Sequence, residues 1–71
     1  MEKIKQFADN LKTLRKERGW SQQELALKIH YTQQAVSQWE NAQIEPTLSS
    51  LWVLSDVFEI SIDELVGKVE F

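Results

Sequence analysis

The chain has 71 residues, of which 42% are hydrophobic and 27% charged, so it allows one globular domain over residues 1–71 and no second. It contains no cysteine and one histidine, which excludes a disulfide framework and a thiolate metal site, and we expect neither a metal nor a cofactor. No apolar run approaches the about 18–20 residues of a membrane span, and residues 1–6 lack the apolar core of a signal peptide. A cytoplasmic protein is therefore expected.

The formal net charge of −3 is distributed unevenly along the chain. Residues 1–30 carry seven Lys and Arg against four Asp and Glu, whereas residues 31–71 carry only Lys68 against seven acids. A net negative charge weakens the attraction to nucleic-acid phosphates. A protein that binds through one face still tolerates an acidic far side, so the charge does not exclude a nucleic-acid partner.

A first helix is predicted over about residues 2–18. Its apolar residues recur at intervals of three and four, the spacing of one helical face: Ile4, Phe7, Leu11 and Leu14. Gly19 is expected to end the helix in the left-handed conformation, with Trp20 folded back onto the last turn as part of the core. Three lysines lie mostly off the apolar face, and they either form a solvated surface or approach phosphates: Lys5, Lys12 and Lys16.

Residues 21–40 carry the densest set of signals. Ser21, followed three residues later by Glu24, forms a capping box that opens a second helix. The apolar stripe of this helix is Leu25, Ala26 and Ile29. After a joint of about three residues, Thr32 can cap a third helix that ends near Glu40. Two short helices with so tight a connection predict a helix-turn-helix.

On the third helix, Val36 and Trp39 share one face and should point inward. The other faces then present three glutamines to solvent: Gln33, Gln34 and Gln38. Glutamine is a good helix former, so one interpretation is an ordinary surface helix. The alternative is that the glutamine amide, which carries both a donor and an acceptor, matches adenine N6 and N7 in the major groove of DNA. The helix that precedes this one favours the alternative.

After a loop that ends at Pro46, Thr47 is expected to cap a fourth helix that runs to about Phe58. The predicted inward stripe of this helix is Leu48, Leu51, Leu54 and Phe58. Trp52 and Val53 widen the apolar surface beyond one stripe.

A second capping box, Ser61 with Glu64, predicts a fifth helix that Gly67 ends. Its apolar residues are Ile62, Leu65 and Val66. The tail, residues 68–71, alternates apolar and polar residues but is too short to assign as a strand.

The residue patterns of an enzyme are absent from the sequence. Ser21 and Ser37 have no candidate base except His30. Asp63 and Glu64 are neighbours, so on a helix they point about 100° apart and make a poor acid–base pair. There is no glycine-rich phosphate loop, and we expect no catalytic activity.

Taken in order, these features resemble the Cro/repressor-type helix-turn-helix family, the lambdoid phage repressors and their bacterial relatives. The resemblance covers about residues 7–66 and rests on motifs in matching order: Leu14-Arg15, Gly19, Ser21-Gln22, Glu24-Leu25-Ala26, Val36 to Glu40, Pro46 and Ile62 to Leu65. It implies an all-α fold, a compact five-helix bundle of the lambda-repressor type. It further implies a transcriptional regulator, expected to be a repressor, that binds double-stranded DNA and needs no small-molecule substrate.

The resemblance also implies roles for single residues. The base readers would be Gln33, Gln34, Ala35 and Gln38, with Ala35 against a thymine methyl group. The residues at phosphates would be Gln22, Thr32 and Asn41, together with Lys12 if it is not merely solvated. Gln22 would also brace Gln33. An ion pair between Arg15 and Glu40 would join the first helix to the third.

Two departures from the family pattern bear on function. His30 stands where relatives usually have a glycine, and it is either a mildly strained turn residue or a pH sensor or ligand. The loop after Glu40 has Ala42, Gln43 and Glu45 where relatives often have glycine and basic residues near the DNA backbone. This acidic loop favours an alternative function: a protein-interaction module, such as an antirepressor or an antitoxin-like partner, that keeps the fold and binds DNA weakly.

One recognition helix reads only a few base pairs, so we expect a symmetric homodimer that reads a palindromic operator with half-sites about 34 Å apart. The interface would form through the fourth and fifth helices and the tail, and its residues would be Trp52, Val53, Val69 and Phe71. The alternative is that Trp52 belongs to the core and the tail is frayed.

Overall fold

The computed structural model describes the backbone of residues 2–67 and the side chains of residues 4–67. Five helices and no strand make up this part of the chain: α1 (Glu2–Glu17), α2 (Gln22–Ile29), α3 (Gln33–Glu40), α4 (Leu48–Phe58) and α5 (Ile62–Val66). The prediction of an all-α, five-helix fold is confirmed. The tail, with the predicted interface residues Val69 and Phe71, lies outside the described residues.

The predicted helix starts are confirmed by their caps. The Ser21 hydroxyl accepts the backbone N–H of Glu24 at 3.0 Å, and the Glu24 carboxylate accepts the backbone N–H of Ser21 at 2.9 Å. Hydrogen bonds to the Glu24 carboxylate, first from the backbone N–H of Ser21 and then from its side chain, hold the pKa of Glu24 below its usual value. The same arrangement opens α5, while single hydroxyl caps open α3 and α4; the capping residues are Ser61, Thr32 and Thr47.

All five helices contribute to one hydrophobic core. It contains the predicted inward residues of α3, Val36 and Trp39, which are 0% and 3% exposed. The other buried members are Phe7, Leu11, Leu25, Ala26, Ile29, Leu54, Phe58 and Leu65. Because α3 has its own residues in this core, the position of its outer face is fixed by the packing of the whole domain.

The fourth helix buries Leu54 and Phe58 and packs Leu51 against the core, as predicted, but it does not bury Leu48. Leu48, assigned to the inward stripe by its spacing, is 64% exposed, so that assignment was wrong. Ser50 and Ser55 are buried instead. Their hydroxyls donate to backbone carbonyls three residues earlier, at 2.7 and 2.9 Å, so neither is left unpaired. The helix is rotated so that Trp52, one turn after Leu48, also faces solvent.

Residues with a left-handed backbone conformation follow the ends of helices. Gly19 has a positive φ angle of 71°, as predicted, and Gly67, at the end of α5, has one of 80°. Three residues with side chains adopt the same conformation: His30 at 63°, Ala42 at 55° and Glu59 at 58°. For an L-residue this conformation costs about 1–2 kcal/mol. Strain is therefore present at each of these three turns.

Replacement of Ala42 by glycine is expected to raise the free energy of unfolding by about 0.5–1 kcal/mol, because relief of the left-handed strain exceeds the entropy that glycine adds to the unfolded chain. Urea denaturation followed by circular dichroism measures the change. Ala35→Gly is the matched control, since the same change within α3 should lower stability by about 1 kcal/mol. A loss at Ala42 as large as that at Ala35 would contradict the interpretation.

Candidate nucleic-acid interface

The connection between α2 and α3 is short and internally bonded. His30 adopts the left-handed conformation directly after α2, and the backbone N–H of Tyr31 donates to the carbonyl of Ala26 at 2.9 Å. The Tyr31 ring packs against the Trp39 ring, with centroids 5.2 Å apart. Turn and aromatic contact together fix the direction in which α3 leaves α2.

A buried ion pair ties α3 to α1. Arg15 Nε and Nη2 donate to the two oxygens of Glu40, at 2.6 and 2.9 Å. The Glu40 side chain is 1% exposed and that of Arg15 11%. Arg15 Nη1 also donates to the carbonyl of Trp20 at 2.8 Å. The hydrogen bonds to Glu40, opposed by partial burial, raise the pKa of Arg15, so its charge persists at every working pH.

Gln22, at the start of α2, joins the same network. Its Nε2 donates to Glu40 Oε1 at 3.1 Å, so Glu40 holds groups from both α1 and α2. The amide is thus directed to Glu40 rather than to Gln33, which it was expected to brace. A glutamine amide carries two hydrogens on nitrogen. One of them therefore remains for a further acceptor, such as the phosphate oxygen expected at this position.

The outward face of α3 presents the residues predicted to read bases. Gln33 and Gln34, in its first turn, are exposed, whereas Ala35 and Gln38 are half-buried. Thr32 is exposed, and its hydroxyl accepts the backbone N–H of Ala35 at 3.1 Å. The first turn of α3 is therefore the part of the helix that is most open to a ligand.

Two other predicted phosphate residues lie at different places. Asn41 caps the end of α3 and is exposed, with its amide 3.3 Å from the Ser37 hydroxyl. Lys12 is half-buried on α1. The loop after Asn41 is exposed over residues 41–45 and includes the left-handed Ala42. Asn41 is thus adjacent to α3, whereas Lys12 belongs to another helix.

The predicted dimer residues that the structure describes differ in exposure. Trp52 is 58% exposed, so the alternative that it belongs to the core is wrong. Val53 is half-buried and packs against the core. Trp52 is therefore the more available of the two for a partner.

Some contacts of the described residues escaped the sequence analysis. Trp20 is half-buried, packs against Phe58 with centroids 5.6 Å apart, and has the Lys28 Nζ 4.7 Å from its ring centroid. Arg18 donates to the carbonyl of Phe58 at 3.0 Å. Asn10 donates to the carbonyl of Leu65 at 3.0 Å. The contacts of Trp20 and Arg18 with Phe58 and of Asn10 with Leu65 join residues far apart in the chain, and no local pattern indicates them.

The described part of the chain offers no group of three or more His, Cys, Asp or Glu that could hold a metal ion. None of its helices is long and apolar enough to cross a membrane.

A short turn joins α2 to α3, a buried network holds α3 in place, and the first turn of α3 is exposed. These features define a helix-turn-helix domain. A family model described as helix-turn-helix matches residues 11–65. The chain therefore belongs to the helix-turn-helix family of the Cro/repressor type. No solved structure matches the chain significantly.

Curated relatives from bacteria are similar over most of this chain. It is 32% identical over 65 residues to the HTH-type transcriptional activator BcrR of Enterococcus faecalis, an alignment that covers 92% of this chain and 32% of that protein. It is 33% identical over 60 residues to the HTH-type transcriptional regulator AnsR of Bacillus subtilis, over 84% of this chain and 52% of that protein. It is 35% identical over 57 residues to the antitoxin HipB of Escherichia coli, over 80% of this chain and 65% of that protein. The chain thus spans from about a third to about two thirds of these relatives.

Proposed function

We propose that this chain binds double-stranded DNA sequence-specifically and regulates transcription, with α3 in the major groove and α2 across the backbone. The observation that carries the proposal is the exposed glutamine pair in the first turn of a helix that a buried ion pair holds in place. Gln33 and Gln34 can each present a donor and an acceptor to an adenine edge. Two relatives with transcriptional names support the regulatory role.

The remaining contacts are assigned by their positions around α3. Ala35 and Gln38, both half-buried, would meet base edges farther along the helix. Gln22, Thr32 and Asn41 would contact phosphates and position the helix without reading sequence. Lys12 would add a phosphate contact from α1.

We propose further that the working form is a homodimer on a palindromic operator and that it represses transcription in the cytoplasm. Two copies related by a two-fold axis read twice as many base pairs, at half-sites about 34 Å apart. Trp52 and Val53 are the described residues assigned to the interface, and the exposure of Trp52 supports this assignment. A promoter fusion measures the direction of regulation, since repression requires expression to rise when the operator is removed.

Gln33→Ala is expected to flatten the base preference at one position of each half-site, because a bidentate glutamine–adenine contact discriminates by about 1–3 kcal/mol. Selection of duplexes from a random pool, followed by titration of single-base variants, measures the preference. The salt dependence should stay nearly unchanged, since no phosphate contact is lost. Gln23→Ala is the matched control: it removes an exposed glutamine from α2 and should leave every base preference intact. An unchanged preference for Gln33→Ala would show that α3 does not read DNA in this way.

The second candidate is a protein-interaction module with weak DNA binding. Two observations favour it: Glu45 makes the loop after α3 acidic, and the antitoxin HipB is among the relatives. Titration of mixed-sequence duplex DNA at increasing salt separates the candidates. A DNA-binding regulator loses affinity steeply as salt rises, because it releases counterions from phosphates. An interaction module binds little at any salt concentration.

A further inference from the structure

The groove between the end of α2 and the outer side of α4 takes no part in the proposed DNA contacts. It has a volume of about 310 Å³ and is lined by Lys28, Ile29, His30, Val53, Asp56 and Val57. Its floor is apolar, with Ile29 buried and the two valines half-buried. A partner that covers the groove would bury the remaining apolar surface of the valines.

The two walls of this groove carry opposite charge. Lys28 and His30 lie on the α2 wall, and the exposed Asp56 lies on the α4 wall. The salt bridges of the described residues are Lys5–Asp9 and Arg15–Glu40, so neither Lys28 nor Asp56 is in one. The Lys28 Nζ lies 4.7 Å from the Trp20 ring centroid, and Lys28 and Asp56 are both exposed, so each charge can still meet a group outside the domain.

We propose that this groove is a self-complementary interface for a second copy of the chain. A two-fold axis that runs along the groove places the α4 wall of each copy against the α2 wall of the other. The two copies then use the same surface, as in other symmetric dimers. Asp56 of each copy then faces Lys28 of the other, and this pair occurs twice in the dimer. Trp52, one turn before Asp56 and exposed, extends the apolar contact at the rim.

The charge pattern favours a second copy over other partners. A nucleic acid would meet the acidic wall, and a partner surface of one charge sign would meet like charge on one wall. A complementary partner must place a negative charge at the α2 wall and a positive charge at the α4 wall. A second copy, rotated by the two-fold axis, does this with its own Asp56 and Lys28. This inference rests on the homodimer of the proposed function, and it assigns the face through which the copies meet.

Charge reversal on each wall tests the proposal. In a Lys28→Glu homodimer two acids face each other at both contacts, and in an Asp56→Lys homodimer two cations do. Each variant alone is therefore expected to raise the dimer dissociation constant about tenfold or more, measured by sedimentation at micromolar concentration without DNA. An equimolar mixture should recover dimers of wild-type strength, because both contacts in the mixed dimer pair opposite charges. Thermal unfolding of each variant verifies that it is folded.

Two further variants complete the test. Asp63→Lys, on α5, makes the same change in net charge as Asp56→Lys at an exposed acid outside the groove and should leave dimerisation unchanged. Val53→Glu places a charge on the groove floor and should weaken the dimer as the wall variants do. A wild-type chain that stays monomeric, wall variants that dimerise normally, or a mixture no tighter than the single variants would overturn the proposal.

Failure of this interface and failure of the DNA-binding proposal give different results. If the groove is not the interface, the wall variants dimerise as the wild-type chain does, while the base preference due to Gln33 persists. If the chain does not read DNA, the preference is absent while the charge-reversal pattern in sedimentation remains.

Discussion

Glu40→Ala is expected to lower the free energy of unfolding by about 3–5 kcal/mol, because it leaves the largely buried Arg15 without its counter-charge. Arg15→Ala should cost a similar amount, since it strands a carboxylate whose side chain is 1% exposed. Domains have total stabilities of about 5–15 kcal/mol, and one of 71 residues belongs near the lower end of that range, so either variant should be close to unfolding at room temperature. Urea denaturation followed by circular dichroism, started at low temperature, measures both losses.

The double variant separates the ion pair from the rest of the network. When both charges are absent no buried charge is left unpaired, so the loss should be smaller than the sum of the single losses by about 1–3 kcal/mol. The exposed pair Lys5–Asp9, with side chains 75% and 61% exposed, is the control. Asp9→Ala should cost at most about 1 kcal/mol. Strictly additive losses for Arg15 and Glu40 would rule out a coupled pair.

The sequence predicts the helices well because their ends are determined locally. A capping serine or threonine acts on the residue three positions later, and Gly19 and Gly67 adopt a left-handed backbone that glycine reaches without steric cost. These signals lie within one or two turns of the chain. The helix-turn-helix, and through it the family, could therefore be predicted from local patterns.

The inward face of α4 was predicted only in part: Leu51, Leu54 and Phe58 lie on it, but the exposure of Leu48 was not foreseen. The spacing of leucines placed Leu48 inside, but Ser50 and Ser55 occupy that side. A serine whose hydroxyl donates to its own helix backbone can be buried without an unpaired polar group. Apolar spacing alone does not reveal this, because Leu48 and Trp52 offer an equally apolar stripe on the other side. The exposure of that stripe is what makes α4 a candidate interface.

The sequence predicted which residues the candidate site contains, but not the hydrogen bonds that hold them in place. Gln33 and Gln34 follow from the motif and are exposed in the structure. The bond from Gln22 to Glu40 spans 18 positions, and only the packing of α2 on α3 brings the two side chains together. The opposite charges on the groove walls likewise belong to α2 and α4, which no local pattern relates.

Trp39→Ala is expected to lower the free energy of unfolding by about 3–5 kcal/mol, the range for removal of a buried large aromatic side chain. Trp39 is 3% exposed, and its ring packs against Tyr31 in the turn before α3. Trp52→Ala removes the same side chain from a position that is 58% exposed. It should change the stability of the monomer by at most about 0.5 kcal/mol. Urea denaturation of both variants measures the difference.

The comparison also separates a folding role from an association role. Trp39→Phe keeps a ring against Tyr31, so it should retain more than half of the unfolding free energy that Trp39→Ala loses. Trp52→Phe should have the same free energy of unfolding as the wild-type chain. The measurements are made at a concentration where sedimentation shows monomer, because association adds the stability of the dimer to that of the chain. If Trp39→Ala and Trp52→Ala lost equal stability under those conditions, Trp52 would be buried within the monomer. Trp52 could then not extend the contact at the rim of the groove, and its assignment to the interface would fail together with this prediction.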